Sequence, residues 1–259
     1  NPLFQRYGFF KVIAYLYIGK PIKKYVILLC MENGNKDLYY FGKMINDFAI
    51  RAQIPVALVY DHTASFESAV KGIRAGFNCI MVDRSQLPYE ENVAQVKELV
   101  RIAHAVNVEV ESELGHVGME DSDAKDSEYS LTVPDEAVKF VEETNVDCLA
   151  VAIGTSHGVY KGKPKLRFDL LEELAEKLPV PLVLHGGSGT GDENLAKTCK
   201  KGICKVNIVN DLYRSAYNAL ISDGMAGNRI YNLFPVLSNG YIETAMHFMK
   251  VLGSAGKGI

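Results

Sequence analysis

No stretch of this 259-residue chain approaches the roughly 20 consecutive apolar residues that a bilayer span requires, so nothing in it reads as membrane-embedded. Charge of one sign is scarce too. The 28 Lys and Arg against 31 Asp and Glu leave a formal net charge of −3, which gives no field for gathering nucleic acid. Cysteine is sparse: five residues, Cys30, Cys79, Cys148, Cys199 and Cys204, an odd number with no Cys-x-x-Cys pair. That excludes the disulfide framework of a small secreted domain and predicts free thiols in a reducing compartment. The opening residues, Asn1-Pro2-Leu3-Phe4-Gln5-Arg6, lack the basic, then apolar, then small succession of a signal peptide. The expectation is a cytoplasmic protein with neither membrane nor nucleic-acid partner. With 48% hydrophobic and 23% charged residues, the chain can bury a sizeable core.

Eight short apolar runs read as strands: residues 9–12, 25–30, 56–60, 79–82, 108–112, 148–152, 181–184 and 204–208. Between most of them, residues 38–51, 65–75, 92–106, 135–144, 170–177 and 194–201 place apolar side chains at helical spacing. Thr63 or Ser65 suits a helix N-cap, Pro134 with Asp135 and Glu136 suits a helix start, and Gly76 and Gly202 suit helix ends. Alternating units of this number and length predict a single α/β domain over residues 1–259, a TIM (β/α)8 barrel, with an open doubly wound sheet as the alternative. The first unit fits poorly. Residues 13–24 are the whole crossover, and Gly19 and Pro21 break any helix there, so this unit is expected to be irregular or incomplete. Residues 119–133 form a polar, acidic stretch without apolar periodicity, which reads as a lid-like loop.

Three histidines, His62, His157 and His185, each follow a strand-like run closely. In a β/α barrel, residues at strand carboxyl ends face one mouth. Three neutral imidazoles with an open fourth position describe a catalytic zinc site. Carboxylates stand at equivalent places: Asp61 before His62, Asp83 after residues 79–82, and Glu111 and Glu113 on one face of the fifth strand. Buried there, they are costly unless they bind metal or work on substrate. After the seventh run comes His185-Gly186-Gly187-Ser188-Gly189, and after the eighth Asn207-Ile208-Val209-Asn210-Asp211. Successive glycines let backbone N–H groups curl around an anion, and these two loops are the usual phosphate site of a barrel.

From about Leu38 to the tail at Lys257 the chain resembles the class II, zinc-dependent ketose-bisphosphate aldolases, fructose- and tagatose-bisphosphate aldolases among them. The resemblance rests on Asp61-His62, Met81-Val82-Asp83-Arg84-Ser85, Glu111-Ser112-Glu113-Leu114-Gly115, Gly154-Thr155-Ser156-His157-Gly158 and His185-Gly186-Gly187-Ser188-Gly189. It implies that His62, His157 and His185 hold Zn²⁺, with Asp83 and Glu113 at a second divalent position, and that a monovalent cation can accompany them. It also implies Asp61 as proton donor and a carboxylate of the acidic loop, Glu120 or Asp121, as the group that exchanges the carbon-bound proton. Gly158, Gly186, Gly187, Ser188, Asn207, Ile208, Val209 and Asn210 match positions that hold dihydroxyacetone phosphate. The implied partner is a phosphorylated sugar, and the implied assembly a homodimer or homotetramer.

Some residues depart from the family pattern. Thr63 and Met119 stand where glycine is usual, Val209 and Asn210 replace a polar residue and threonine, and the Ala-Phe-Asn end of the first strand is missing. Two other functions are therefore weighed: a zinc hydrolase on the same fold, and a catalytically impaired phosphosugar-binding relative. His104 is expected to be structural, and His116, which follows the Glu113-Leu114-Gly115 turn, is only a lesser candidate to reach the mouth. His247 is expected in a core or subunit-interface stripe, and Arg214 and Arg229, although candidates for a second phosphate, read first as solvated surface arginines.

Overall fold

The computed structural model describes residues 12–14, 26–31, 38–118, 131–224 and 226–257 of the chain. Eight strands lie side by side in sequence order: β1 (Val12–Ala14), β2 (Val26–Met31), β3 (Val56–Thr63), β4 (Cys79–Val82), β5 (Glu109–Leu114), β6 (Cys148–Val151), β7 (Leu182–Leu184) and β8 (Ile203–Val206). Helices alternate with them from β2 onward: α1 (Leu38–Arg51), α2 (Phe66–Ala75), α3 (Tyr89–His104), α4 (Pro134–Thr144), α5 (Phe168–Lys177), α6 (Asp192–Lys200) and α7 (Asn210–Asp223). A 3-10 turn (Gly227–Asn232) then leads into α8 (Leu233–Val251). Strands β2 to β8 pair in parallel. Among the described residues no helix is long and apolar enough to cross a membrane.

The first unit is irregular, as the sequence leads one to expect, and it departs from the parallel pattern of the other strands. β1 pairs antiparallel with β2, Val12 opposite Leu28 and Ala14 opposite Val26. An antiparallel neighbour needs no helical crossover, which the short stretch holding Gly19 and Pro21 cannot supply. Of the run expected at residues 9–12, only Val12 falls within β1, and the rest lies outside the described residues. β1 also approaches β8 and α8.

Strand alternation separates two environments. Leu58 and Tyr60 of β3, Ile80 and Val82 of β4, and Leu149 and Val151 of β6 join the main core under the helices. Val59, Cys79 and Met81 belong to a second, smaller apolar cluster on the opposite face. The α2 unit illustrates the local logic. Ser65 caps it by accepting a hydrogen bond from the Ser68 N–H at 3.1 Å, and Gly76, at φ +95°, closes it in the left-handed conformation. Gly72 lets it press on β3, because a Cβ there would stand 2.4 Å from the Tyr60 ring. At the far end, α8 lies on α7 through Gly240, where a Cβ would stand 2.9 Å from the Ala216 backbone. In the sequence only the stripe around His247 marks this last helix, and no expected helical segment corresponds to α7.

Candidate active site

β3 carries Val59 and Asp61 to the face away from the helices, and regular alternation would send His62 back toward them. The register with β4 breaks between Tyr60 and Thr63, and His62 adopts φ +47°. A bulky residue is rarely tolerated there, and such strain collects at functional sites. The break turns His62 to the same side as Asp61, toward β7. The His62 Nε2 lies 3.0 Å from the Nδ1 of His185, and Asp61, Glu111 and His185 offer ligand atoms within 4.8 Å of one another.

His185, at the end of β7, is wholly buried. His157 reaches in from the loop after β6, where its backbone N–H donates to Gly118 O at 2.8 Å and its Nδ1 meets Val117 O at 3.0 Å. The three imidazoles pack edge to face, with ring centroids 4.8 to 5.6 Å apart. Their ligand nitrogens all fall within 4.8 Å of one another, where nitrogens sharing a tetrahedral zinc stand about 3.3 Å apart. The Nε2 of His157 is buried with no hydrogen-bond partner. A lone pair left bare in a buried ring of imidazoles fits a metal ligand, so the donor set suits Zn²⁺. A second group, His62, Asp83 and Glu113, lies within the same 4.8 Å limit, and Glu113 Oε2 is likewise buried without a partner.

Charge is arranged around this centre. Burial lowers the proton affinity of His62, but the Asp61 carboxylate and the hydrogen bond to Asp83 outweigh it and lift the group to about 9. Burial would raise Asp83, yet hydrogen bonds from His62 and Ser85 hold it well below the usual carboxylate range. His157 is pushed down to about 4, first by burial and then by its two histidine neighbours. A histidine raised in this way adds stability that is complete below about 6.5 and is lost as pH climbs through 9. Metal binding must expel the proton on His62. At pH 7.5, titration with Zn²⁺ in buffers of differing ionisation enthalpy should therefore show release of about one proton per ion. Release of none would mean that His62 is not a ligand.

The glycine-rich loop lies beside the metal candidates. Gly186 sits at φ +68°, and a Cβ there would stand 2.3 Å from Ser156 O. At Gly187 a Cβ would meet Val206 Cγ1 at 2.6 Å. Ser188 Oγ accepts the N–H groups of Val209 and Asp211 at 3.0 and 3.3 Å, which leaves its own hydrogen to donate. Asn210 Nδ2 donates to Gly158 O at 2.6 Å. The loops after β6, β7 and β8 are thus stitched together at the N-terminus of α7, a place where N–H groups and the helix dipole favour an anion. Val209 faces the second apolar cluster, and its N–H is already spent on Ser188.

A family model, fructose-bisphosphate aldolase class-II, matches residues 9–257. The chain belongs to the class-II fructose-bisphosphate aldolase family. The match begins upstream of Leu38, where the resemblance in sequence motifs starts. A probable fructose-bisphosphate aldolase of Bacillus subtilis strain 168 is 43% identical over 158 residues, covering 61% of this chain and 55% of that protein, so the aligned stretch spans about half the length of this curated relative. Among solved structures, the YdjI aldolase of Escherichia coli K12 superposes with a TM-score of 0.80 at 34% identity, covering 90% of this chain and 83% of that one. Fructose-bisphosphate aldolase of Campylobacter jejuni, with a TM-score of 0.73 over 90% of this chain and 84% of that one at 18% identity, shares the fold.

In this class-II family member the outer contacts include residues that the sequence did not single out. His185 Nε2–H donates to Glu111 Oε1 at 2.8 Å, and Lys205 Nζ pairs with Glu111 Oε2 at 2.5 Å. Burial alone would keep the Glu111 carboxyl neutral, but Lys205, with His185, holds it down to about 2. Asn207 Nδ2 lies 3.2 Å from His185 Nε2 and donates to Asp61 Oδ1 at 3.4 Å. The Tyr160 hydroxyl accepts Ser156 N–H and donates to Gly186 O, both at 2.9 Å. Strand alternation from Asn207 back to Lys205 was the available signal for the buried lysine.

The remaining candidates separate clearly. Glu120 and Asp121 lie outside the described residues. His104 pairs with Asp147 at 2.8 Å, away from the centre. His247 pairs with Asp192 on an exposed surface rather than in a core stripe. Arg214 and Arg229 are exposed. Among the described cysteines, Cys79, Cys148 and Cys199 are free thiols.

Proposed function

We propose that this protein is a zinc-dependent aldolase that cleaves a ketose phosphate, of the fructose- or tagatose-1,6-bisphosphate type, into dihydroxyacetone phosphate and an aldehyde. The observation that carries the reading is the three-histidine cluster lying beside a glycine-rich loop and the N-terminus of α7. His62, His157 and His185 would hold Zn²⁺, which supplies Lewis-acid polarisation of the ketose carbonyl. Asp83 and Glu113 would offer a second divalent position. The fold completing this site is a closed (β/α)8 barrel, in keeping with the sequential strand order and the approach of β1 to β8.

The chain's own groups divide the remaining work. The free hydrogen of Ser188, the turns at Gly186 and Gly187, Gly158, and the residues Asn207 to Asn210 bind the phosphate end of the dihydroxyacetone phosphate unit. Asp61 takes the proton from the hydroxyl whose carbon becomes the aldehyde as the carbon–carbon bond breaks. The electron pair of that bond stays with the dihydroxyacetone phosphate fragment, and a carboxylate at Glu120 or Asp121 delivers the proton that quenches it. Asp61→Asn keeps the shape and the contact with Asn207 while removing the acid/base. Turnover should fall by roughly 10²-fold or more with metal content unchanged, and cleavage at the parental rate would remove Asp61 from the mechanism.

The working assembly in this reading is a cytoplasmic homodimer or homotetramer. A hydrolase using the same metal has no need of the phosphate-binding loops, and an impaired relative would bind sugar phosphate without cleaving it. A panel of ketose mono- and bisphosphates, assayed by coupled detection of triose phosphate, tests the reading. Triose phosphate release from at least one bisphosphate is the expected result, and binding without release across the panel would overturn it.

A further inference from the structure

His116 is absent from every role assigned so far, yet it closes a hydrogen-bonded chain that ends on His62. Its Nδ1 lies 2.9 Å from Ser85 Oγ and 3.7 Å from Glu113 Oε1. Ser85 Oγ stands 2.7 Å from Asp83 Oδ1, and the Ser85 N–H reaches the same oxygen at 3.0 Å. The other oxygen, Asp83 Oδ2, lies 3.0 Å from His62 Nδ1.

Counting hydrogens fixes the direction of every link. An ionised carboxylate only accepts, so the single hydroxyl hydrogen of Ser85 goes to Asp83. Ser85 Oγ must then accept from His116, which places a proton on His116 Nδ1. Asp83 Oδ1 receives both Ser85 donors, leaving Oδ2 to accept the Nδ1–H of His62. With that proton held at Nδ1, the proton that a metal must displace is the one on Nε2, and it is this atom that faces His185. Outer partners of this kind fix the tautomer and the ring angle of a metal-binding histidine.

We propose that His116 is a positioning residue that acts through Ser85 and Asp83 to present the Nε2 lone pair of His62 to the metal. The inference rests on the metal centre proposed above. Its test measures Co²⁺ affinity of the full chain by competition with a chromophoric chelator, with no substrate present. His116→Phe keeps a ring but removes the donor, and Ser85→Ala removes the next link. Each should weaken Co²⁺ binding about 10-fold, within the usual range for an outer-shell partner. If the two residues act in series, the double variant should be no weaker than Ser85→Ala alone. His116→Asn, whose amide N–H can replace the Nδ1–H, should recover most of the affinity. Unchanged affinity in His116→Phe, or fully additive losses in the double variant, would overturn the relay. A parent chain that takes up no Co²⁺, or a His62→Ala variant that binds it as tightly as the parent, would instead overturn the metal centre and the relay with it.

Discussion

Replacing His185 by Ala should empty the metal site and abolish cleavage together, with turnover falling by about 10³-fold or more, the upper scale for losing a single electrostatic stabiliser of the transition state. The expectation follows from the position of this side chain. His185 is wholly buried, its Nδ1 lies 3.0 Å from the Nε2 of His62, and its other nitrogen is committed to Glu111. Removing the ring removes a ligand nitrogen that both contacts hold in place. Treating the parent protein with a chelator should produce the same loss, and adding Zn²⁺ or Co²⁺ should restore the parent but not the variant. Bound metal, measured by elemental analysis, should fall in step with activity. A His185→Ala chain that retains a full complement of metal would show that the ligand set has been misassigned.

Much of this geometry is readable in the sequence because two simple periodicities carry it. Apolar runs of strand length separated by helical spacing locate β3 to β8 and α1 to α6 within a few residues, and α1 and β4 coincide with their expected limits. The same alternation puts Glu111 and Glu113 on one face, where both are found buried. His62 shows what periodicity misses. Its place beside Asp61 would ordinarily send it to the opposite face, and only the register break and a positive φ turn it inward. The antiparallel β1 could not be specified either, because a short crossover excludes a helix without saying which edge the strand takes.

Lys205 was missed for a different reason. Within the run of residues 204–208, one lysine among apolar residues looks like an outward-facing charge. Its partner on β5, Glu111, is far away in sequence, and only the tertiary fold brings β8 to it. His116 was hidden likewise, since its link to the centre passes through Ser85, and no sequence spacing encodes a contact made through a hydroxyl.

The buried pair of Lys205 and Glu111 should also give the largest stability effect in the molecule. Both side chains are almost wholly removed from water, at 8% and 1% exposure, so Lys205→Met strands a carboxylate in a medium that cannot solvate it. Removing one partner of such a pair costs about 3–5 kcal/mol, and urea unfolding at pH 7 should show a loss of that order. Acid should narrow the gap. Glu111 is held down to about 2 from an ordinary value of 4.5, so its ionised form contributes fully above 4.5 and that contribution is lost as pH falls toward 2. The double change Lys205→Met with Glu111→Leu removes both charges, and most of the lost stability should return, because an apolar pair of similar volume needs no solvation. Function should not return with it. His185 loses the carboxylate that accepts its Nε2–H, and metal affinity in the double variant should stay about 10- to 100-fold below that of the parent. Recovered stability together with recovered affinity would reduce Glu111 to a packing element. A loss below about 1 kcal/mol in Lys205→Met would mean that Glu111 finds another cation or water, against the burial on which the expectation rests.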